Sequence, residues 1–265
     1  MKSTVRQTSW YLLVLLALTA LACPKHPDYR KALLPPGLAG GIPEIDESYL
    51  LEIDQRRIDL TREYLRIHQP ETLATLPAVD SVEGISFVPQ MVVVHFTDIP
   101  TLEETLEYFR PVEIEAGRPT IKANGLLNVG VQFIIDPEGR IYRSYPETVI
   151  ARHTIGLNHV AIGIENVGTG DLGDRSSLSP LTNAQVWANV QLIAYLAARH
   201  PSIRYVIAHS EYRDVEAPEH PAHRLFLEKF QDYRTEKIDP GERFMAELRR
   251  NLAQEAVRGE QTDSR

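Results

Sequence analysis

"MVVVHFTD" (residues 91–98) is the stretch from which the rest of the chain is best read. Its run of apolar residues marks a strand buried on both faces. A polar imidazole at the end of such a strand, His95, needs a partner. It is either a hydrogen-bonded core residue or a metal ligand. "RYVIAHSEY" (204–212) repeats the design with His209. A period of two puts Met91, Val93 and His95 on one face, and likewise Tyr205, Ile207 and His209. Two strands that each deliver a histidine at the C-terminal end can hold a metal between neighbouring edges. Zinc favours imidazole nitrogen and carboxylate oxygen, and a catalytic site keeps three protein ligands with one position open.

"EKIDPGERF" (236–244) offers a third ligand. In an extended chain Lys237 and Asp239 point the same way, and Pro240 biases Asp239 towards extended geometry. The same residues also fit a helix start, with Asp239 as N-cap, Pro240 at N1 and Glu242 at N3. Phe244, Leu248 and Leu252 then share one helical face. His220 and His223, spaced i,i+3, compete with Asp239 as ligands. Pro221 between them suggests a helix start, and Leu225, Phe226 and Phe230 suggest a short helix at the cleft edge. In "HVAIGIENVG" (159–168), Ile162 and Ile164 face one side while Ala161, Gly163 and Glu165 face the other. Small residues beside a lone glutamate leave room above it, as a cleft floor would, and glutamate is otherwise depleted in strands.

Further out, strands expected at 91–96, 130–135, 140–145, 159–166 and 204–209 alternate with helices, which argues for an α/β domain. Thr101 with Glu104, and Thr182 with Gln185, resemble capping boxes. The second would open a helix carrying Val186, Val190, Ile193 and Leu196. "DPEGR" (136–140) is a tight-turn signature that makes 130–145 a hairpin. Gly168, Gly170 and Gly173 spell G-x-G-x-x-G, but "DRSSLSPLT" follows instead of the helix that would hold a dinucleotide pyrophosphate. These glycines therefore shape a loop. Residues 45–68 are expected to be helical, with Leu50, Ile53, Leu60, Tyr64 and Leu65 at helical spacing.

The chain has 265 residues, enough for one sizeable domain with extra length, and 43% are hydrophobic. Net charge is −8, with no like-charge run long enough to form a tail. That argues against nucleic acid or an anionic membrane surface as the main partner.

The N-terminus is a targeting segment. Lys2 and Arg6 precede "WYLLVLLALTAL" (10–21), too short to span a bilayer but suited to a signal peptide. "TALAC" resembles the lipobox of bacterial lipoproteins, in which the cysteine is lipidated and becomes the mature N-terminus. Cys23 is the only cysteine in the chain. Pro24 follows where, by that resemblance, an aspartate would favour inner-membrane retention. The expectation is an outer-membrane anchor facing the periplasm, a signal peptide over 1–22 and a flexible tether over 23–44. A helical extension over 45–85, a catalytic domain over 86–256 and a polar tail over 257–265 complete the expected organisation.

"MVVVHFTD", "VQFIIDPEGRIYRSYPE", "ARHTIGLNHVAIGIENVG", "YVIAHSEY" and "RTEKIDPGERF" together resemble the zinc-dependent N-acetylmuramoyl-L-alanine amidases, which share a fold with peptidoglycan-recognition proteins. The resemblance covers about 86–250 and keeps the family's motif order. It implies a central mixed β-sheet flanked by helices, with peptidoglycan or muropeptides as partner. It further implies Zn²⁺ held by His95, His209 and Asp239, and catalysis by Glu165 and Lys237. His153 and Asn158, in "RHTIGLN", would line the cleft, positioning substrate or supporting the ligands. Two departures stand out. Some relatives carry a catalytic tyrosine in G-Y-H-F, but here the stretch is "GVQF" (130–133), which favours the glutamate-dependent branch. The family also usually brings the second histidine and the aspartate closer; here they are 30 residues apart (239 − 209), so an insertion lies between them. Family members that have lost a zinc ligand bind peptidoglycan without cutting it, which is the alternative function.

Overall fold

The computed structural model describes residues 27–115 and 117–263. The signal peptide, the lipobox-like stretch and Cys23 lie outside the described residues. In chain order the elements are β1 (Ile45–Asp46), α1 (Gln55–His68), α2 (Pro70–Thr75), β2 (Met91–Phe96), α3 (Leu102–Phe109), α4 (Pro119–Ala123) and β3 (Phe133–Ile135). They continue with β4 (Ile141–Arg143), β5 (Ala161–Asn166), β6 (Gly170–Leu172), β7 (Pro180–Leu181), α5 (Asn183–Arg199), β8 (Tyr205–Ala208) and α6 (Glu242–Asp263).

One mixed sheet runs β1-β4-β3-β5-β2-β8. Only the β3–β4 hairpin is antiparallel; β5, β2 and β8 lie parallel, so their C-terminal ends open on the same edge. Period-2 side chains divide the core. Val92, Val94, Ile162, Ile164 and Val206 pack with Val190, Ile193, Phe244 and Leu248 of α5 and α6. Met91, Val93, Ala161 and Ile207 face the other way, onto Leu157, Tyr212 and Tyr233. Phe109 of α3 packs on that second side against Ile134 and Tyr142. The mixed sheet flanked by helices agrees with the expected fold class.

Local chemistry sets the boundaries. Thr182 and Gln185 form a complete capping box at α5, and Thr101 caps α3 by accepting from the Glu104 amide. The glycine triad opens no helix: Gly173 turns at φ 61°, but Gly170 begins the short strand β6, which pairs with β7, where a loop was expected.

Four further expectations are corrected. The helix expected over 45–68 begins only at Gln55, because Asp54 caps it by accepting from the Arg57 amide (2.8 Å). Ahead of it, Ile45 and Asp46 pair with β4 instead. Much of the expected flexible tether, 23–44, is packed. Tyr29–Ala32 forms a 3₁₀ turn, the Leu34 amide donates to the Arg204 carbonyl (2.9 Å), and Leu34 and Leu38 meet the core. The edge strand β8 supplies the free backbone partners that draw this segment in. The polar tail expected at 257–265 is instead helical through Asp263. A Cβ on Gly259 would lie 2.4 Å from the Gly37 carbonyl oxygen, so its bare backbone admits the N-terminal segment. Finally, the helix expected after Pro221 is a single 3₁₀ turn, His223–Leu225, with irregular chain beyond it.

Candidate metal centre and cleft

The parallel edge assembles the site. In β2 and β5, His95 pairs directly with Glu165; Val94 pairs with Ala208, which places His209 beside His95 where β8 ends. Open α/β sheets bind ligands at this carboxyl edge. Asp239 arrives from a distance, and the Ser210 amide donating to the Asp239 carbonyl (3.0 Å) ties the returning chain to the His209 turn.

Asp239 does not cap α6. That role falls to Asp171, whose carboxylate accepts from the Arg243 (3.1 Å) and Phe244 (2.9 Å) amides. The Asp239 carboxylate is thereby free for the histidines. Its Oδ2 lies 2.9 Å from His209 Nδ1 and 3.3 Å from His95 Nδ1. Donor atoms of all three buried residues fall within 4.8 Å of one another. Two atoms bound tetrahedrally at ~2.0–2.1 Å to one zinc stand about 3.3 Å apart, so the donor set fits that ion. His220 and His223 are not brought here. His220 Nδ1 accepts from the Ala222 amide and His223 Nδ1 faces the Val215 carbonyl, so both are used within the insertion.

Burial governs protonation. Desolvation pulls His95 down to about 4, with the nearby His209 adding to the effect, and it lowers His209 despite the opposing charge of Asp239. Burial would raise Asp239, but hydrogen bonding and charge from the two imidazoles hold it well below the usual carboxylate range. Neutral imidazoles and an ionised carboxylate are the forms that bind a metal. Glu165 is raised well above the ordinary carboxylate value, first by desolvation and then by the charge of Asp239, against Lys237. Its Oε2 is buried with no hydrogen-bond partner.

These groups open onto a cleft of about 590 Å³, lined also by Tyr64, Arg118, Tyr233 and Lys237. His153 and Asn158 line it as well, and the Asn158 Oδ1 accepts from the amides of His153 (2.9 Å) and Thr154 (2.7 Å). His153 stacks edge-on to His95, its Nδ1 3.1 Å from His95 Nε2. The room above Gly163 is not open floor: a Cβ there would lie 2.9 Å from His153 Cγ. The G-V-Q-F stretch brings no tyrosine, and Gln132 instead accepts from the Gly163 amide (2.7 Å). Sequence reading missed Tyr64 and Tyr233, which reach the cleft from α1 and from the insertion. Tyr64 sat on a helical apolar stripe like any core residue. Arg152 was missed as well: buried, it donates to carbonyls of Ile121 in α4 and of Asn124, Gly125 and Leu127 after it, and to Tyr233 Oη (3.2 Å).

The N-acetylmuramoyl-L-alanine amidase family profile matches residues 86–242, more than half of the 265, and the chain belongs to that family. Among solved structures it is similar to N-acetylmuramoyl-L-alanine amidase LysC from Clostridium intestinale URNW. That pair is 20% identical, covering 69% of this chain and 95% of that one at TM-score 0.38. It is also similar to AmpD (23% identical, 62% and 84% covered, TM-score 0.40). Drosophila PGRP-LB is 20% identical, with 52% and 78% covered, at TM-score 0.35. No curated protein matches the chain.

Proposed function

We propose that the protein is a zinc-dependent N-acetylmuramoyl-L-alanine amidase that cuts the lactyl amide between muramic acid and the first L-alanine of the stem peptide, in peptidoglycan or its fragments. The observation that carries this reading is the convergence of His95, His209 and Asp239 with Glu165 in register beside them, at the floor of one cleft. A zinc ion held by these three would polarise the scissile carbonyl and make water more acidic.

The protein's own groups do the rest. Glu165, with one oxygen unpartnered, accepts a proton from the attacking water and passes it to the leaving amine. A carboxyl raised by burial suits both halves of that transfer. Lys237 lines the cleft two residues before Asp239 and makes no ion pair among the described residues, so its ammonium is available to the developing oxyanion. The lipobox-like "TALAC" supports attachment of Cys23 to the outer membrane by acyl chains; Cys23→Ser should then appear in the soluble periplasmic fraction.

The deciding experiment is mass spectrometry of sacculi and purified muropeptides treated with the zinc-loaded protein. Free stem peptides beginning with L-alanine are expected, with loss on chelation and recovery on adding Zn²⁺. Full activity in verified metal-free protein would overturn the mechanism. Binding of muropeptide with no peptide released would make the protein a peptidoglycan-binding module instead.

A further inference from the structure

We propose that His153 is the positioning residue that selects the tautomer of His95 and so presents the His95 Nδ1 lone pair to the metal. This rests on the zinc reading above and gives a specific task to His153, which touches the candidate ligand His95.

The proton positions follow from one hydrogen-bonded chain. His153 Nε2 lies 3.2 Å from the Ala161 carbonyl oxygen, which can only accept, so the proton of a neutral His153 ring sits on Nε2. His153 Nδ1 then carries a lone pair. Facing it at 3.1 Å is His95 Nε2, which must be the donor. The Thr154 hydroxyl lies 2.8 Å from His153 Nδ1 and 3.5 Å from His95 Nε2, able to donate to the first and accept from the second. By either route the His95 proton belongs on Nε2. His95 Nδ1 is left with its lone pair 3.3 Å from the Asp239 carboxylate. Two electron-pair donors facing each other in a buried site are satisfied by a cation.

The surroundings hold His153 in that orientation. Asn158 accepts from the amides of His153 and Thr154, fixing the backbone that carries both. Gly163 leaves the space above β5 that the His153 ring fills, since a Cβ would lie 2.9 Å from Cγ and 3.0 Å from Nδ1. Ala161 and Gly163 belong to the strand that also carries Glu165. One strand thus provides the acceptor for His153, the room for its ring and the proposed base. A group that orients a ligand's second nitrogen typically changes metal affinity about 10–100-fold.

The test is zinc affinity, measured by chelator competition, in three full-length proteins. His153→Phe keeps a ring but removes the acceptor and should weaken zinc binding by about 10–100-fold. His153→Asn, which can place an oxygen near the Nδ1 position, should restore much of that loss. Nitrogen NMR of zinc-loaded wild type should show His95 protonated at Nε2 and coordinating through Nδ1. This spectrum needs no variant, so a variant that fails to fold leaves the proposal testable. Wild-type zinc affinity in folded His153→Phe, or His95 coordinating through Nε2, would overturn it. Wild type that binds zinc but releases no peptide would end the amidase reading and leave the role of His153 standing. Wild type that binds no zinc would end both.

Discussion

At His68, Nδ1 lies 3.0 Å from Glu228 Oε1 and Nε2 lies 2.9 Å from the Asn124 carbonyl oxygen. Each ring nitrogen of His68 thus has a hydrogen-bonding partner within the protein. At His95 one nitrogen is used on His153 while the other faces a carboxylate that His209 also faces. Both clusters are buried and both join histidine to a carboxylate. In the first each ring nitrogen has a partner of its own, whereas in the second two histidines converge on one carboxylate, the arrangement of a candidate metal site. The first also holds architecture: the Lys229 amide donates to the His68 carbonyl and Gln69 Nε2 to the Leu227 carbonyl, tying the end of α1 to the insertion. Tyr64 and Tyr233 lie against His68, so this latch stands behind the wall they give the cleft. Residue type alone does not identify a metal site; the distribution of donors and acceptors around each ring does.

The largest effect should come from breaking the His95 cluster. Asp239→Ala is expected to abolish zinc binding and with it activity, a loss beyond the ~10–100-fold that supporting residues cost. The double change His220→Ala, His223→Ala should keep full zinc stoichiometry, because both rings are used within the insertion. Metal analysis of the two proteins decides the ligand set: zinc retained in the first and lost in the second would reverse the assignment.

Glu165→Gln comes next. Gln keeps the shape but takes no proton, so kcat should fall by roughly 10²–10⁴-fold while zinc remains bound. Steady-state kinetics with metal analysis on the same sample checks this. An unchanged kcat would remove Glu165 from the chemistry.

These residues were legible before the fold was known, and the latch was not. His95 and His209 each end an apolar run, and Glu165 stands alone in a β-rich stretch, so burial makes them conspicuous. The strand order could not be read, yet parallel pairing in register is what sets Glu165 opposite His95. Asp239 was ambiguous because Asp-Pro-Gly-Glu is also a helix start, and only the remote Asp171 frees it. His68 and Glu228 are 160 residues apart and carry no local signature. Packing of residues 29–41 failed to show for the opposite reason. Proline and glycine fit a loose tether, and the edge of β8 that recruits the segment is a property of the sheet.

Breaking the His68 cluster should damage stability and spare the metal. Neither side chain of the His68–Glu228 pair is exposed. Glu228→Ala leaves the His68 ring without its carboxylate partner in the interior, and a buried polar group left unsatisfied costs about 1–3 kcal/mol. Chemical denaturation should show that loss, with zinc stoichiometry unchanged and KM raised as the Tyr64–Tyr233 wall loosens. Loss of zinc in this variant would mean that the two clusters are coupled.

The smallest predicted effect sharpens the comparison through pH, in metal-free protein. Burial lowers His95 to about 4, His153 to about 3 and His159 to about 4, and it lowers His209 as well. In the unfolded chain the same rings take up protons near pH 6.5. Between pH 6.5 and about 4 the unfolded state therefore binds more protons, and stability must fall on acidification. Each ring contributes at most about 1.4 kcal/mol per pH unit across that window. Asp239, lowered in the fold, loses its contribution only below the ordinary aspartate range, and so does not blur the decline. Glu165 has the opposite sign: raised in the fold, it stabilises at low pH and its contribution fades as pH rises. His153→Phe should flatten the decline by about one ring's share, measured as denaturation midpoints from pH 7 to pH 5. Zinc should steepen it, because protons compete with the metal for the same lone pairs. A decline that zinc leaves unchanged would mean that the titrating rings are not the ones that meet the metal.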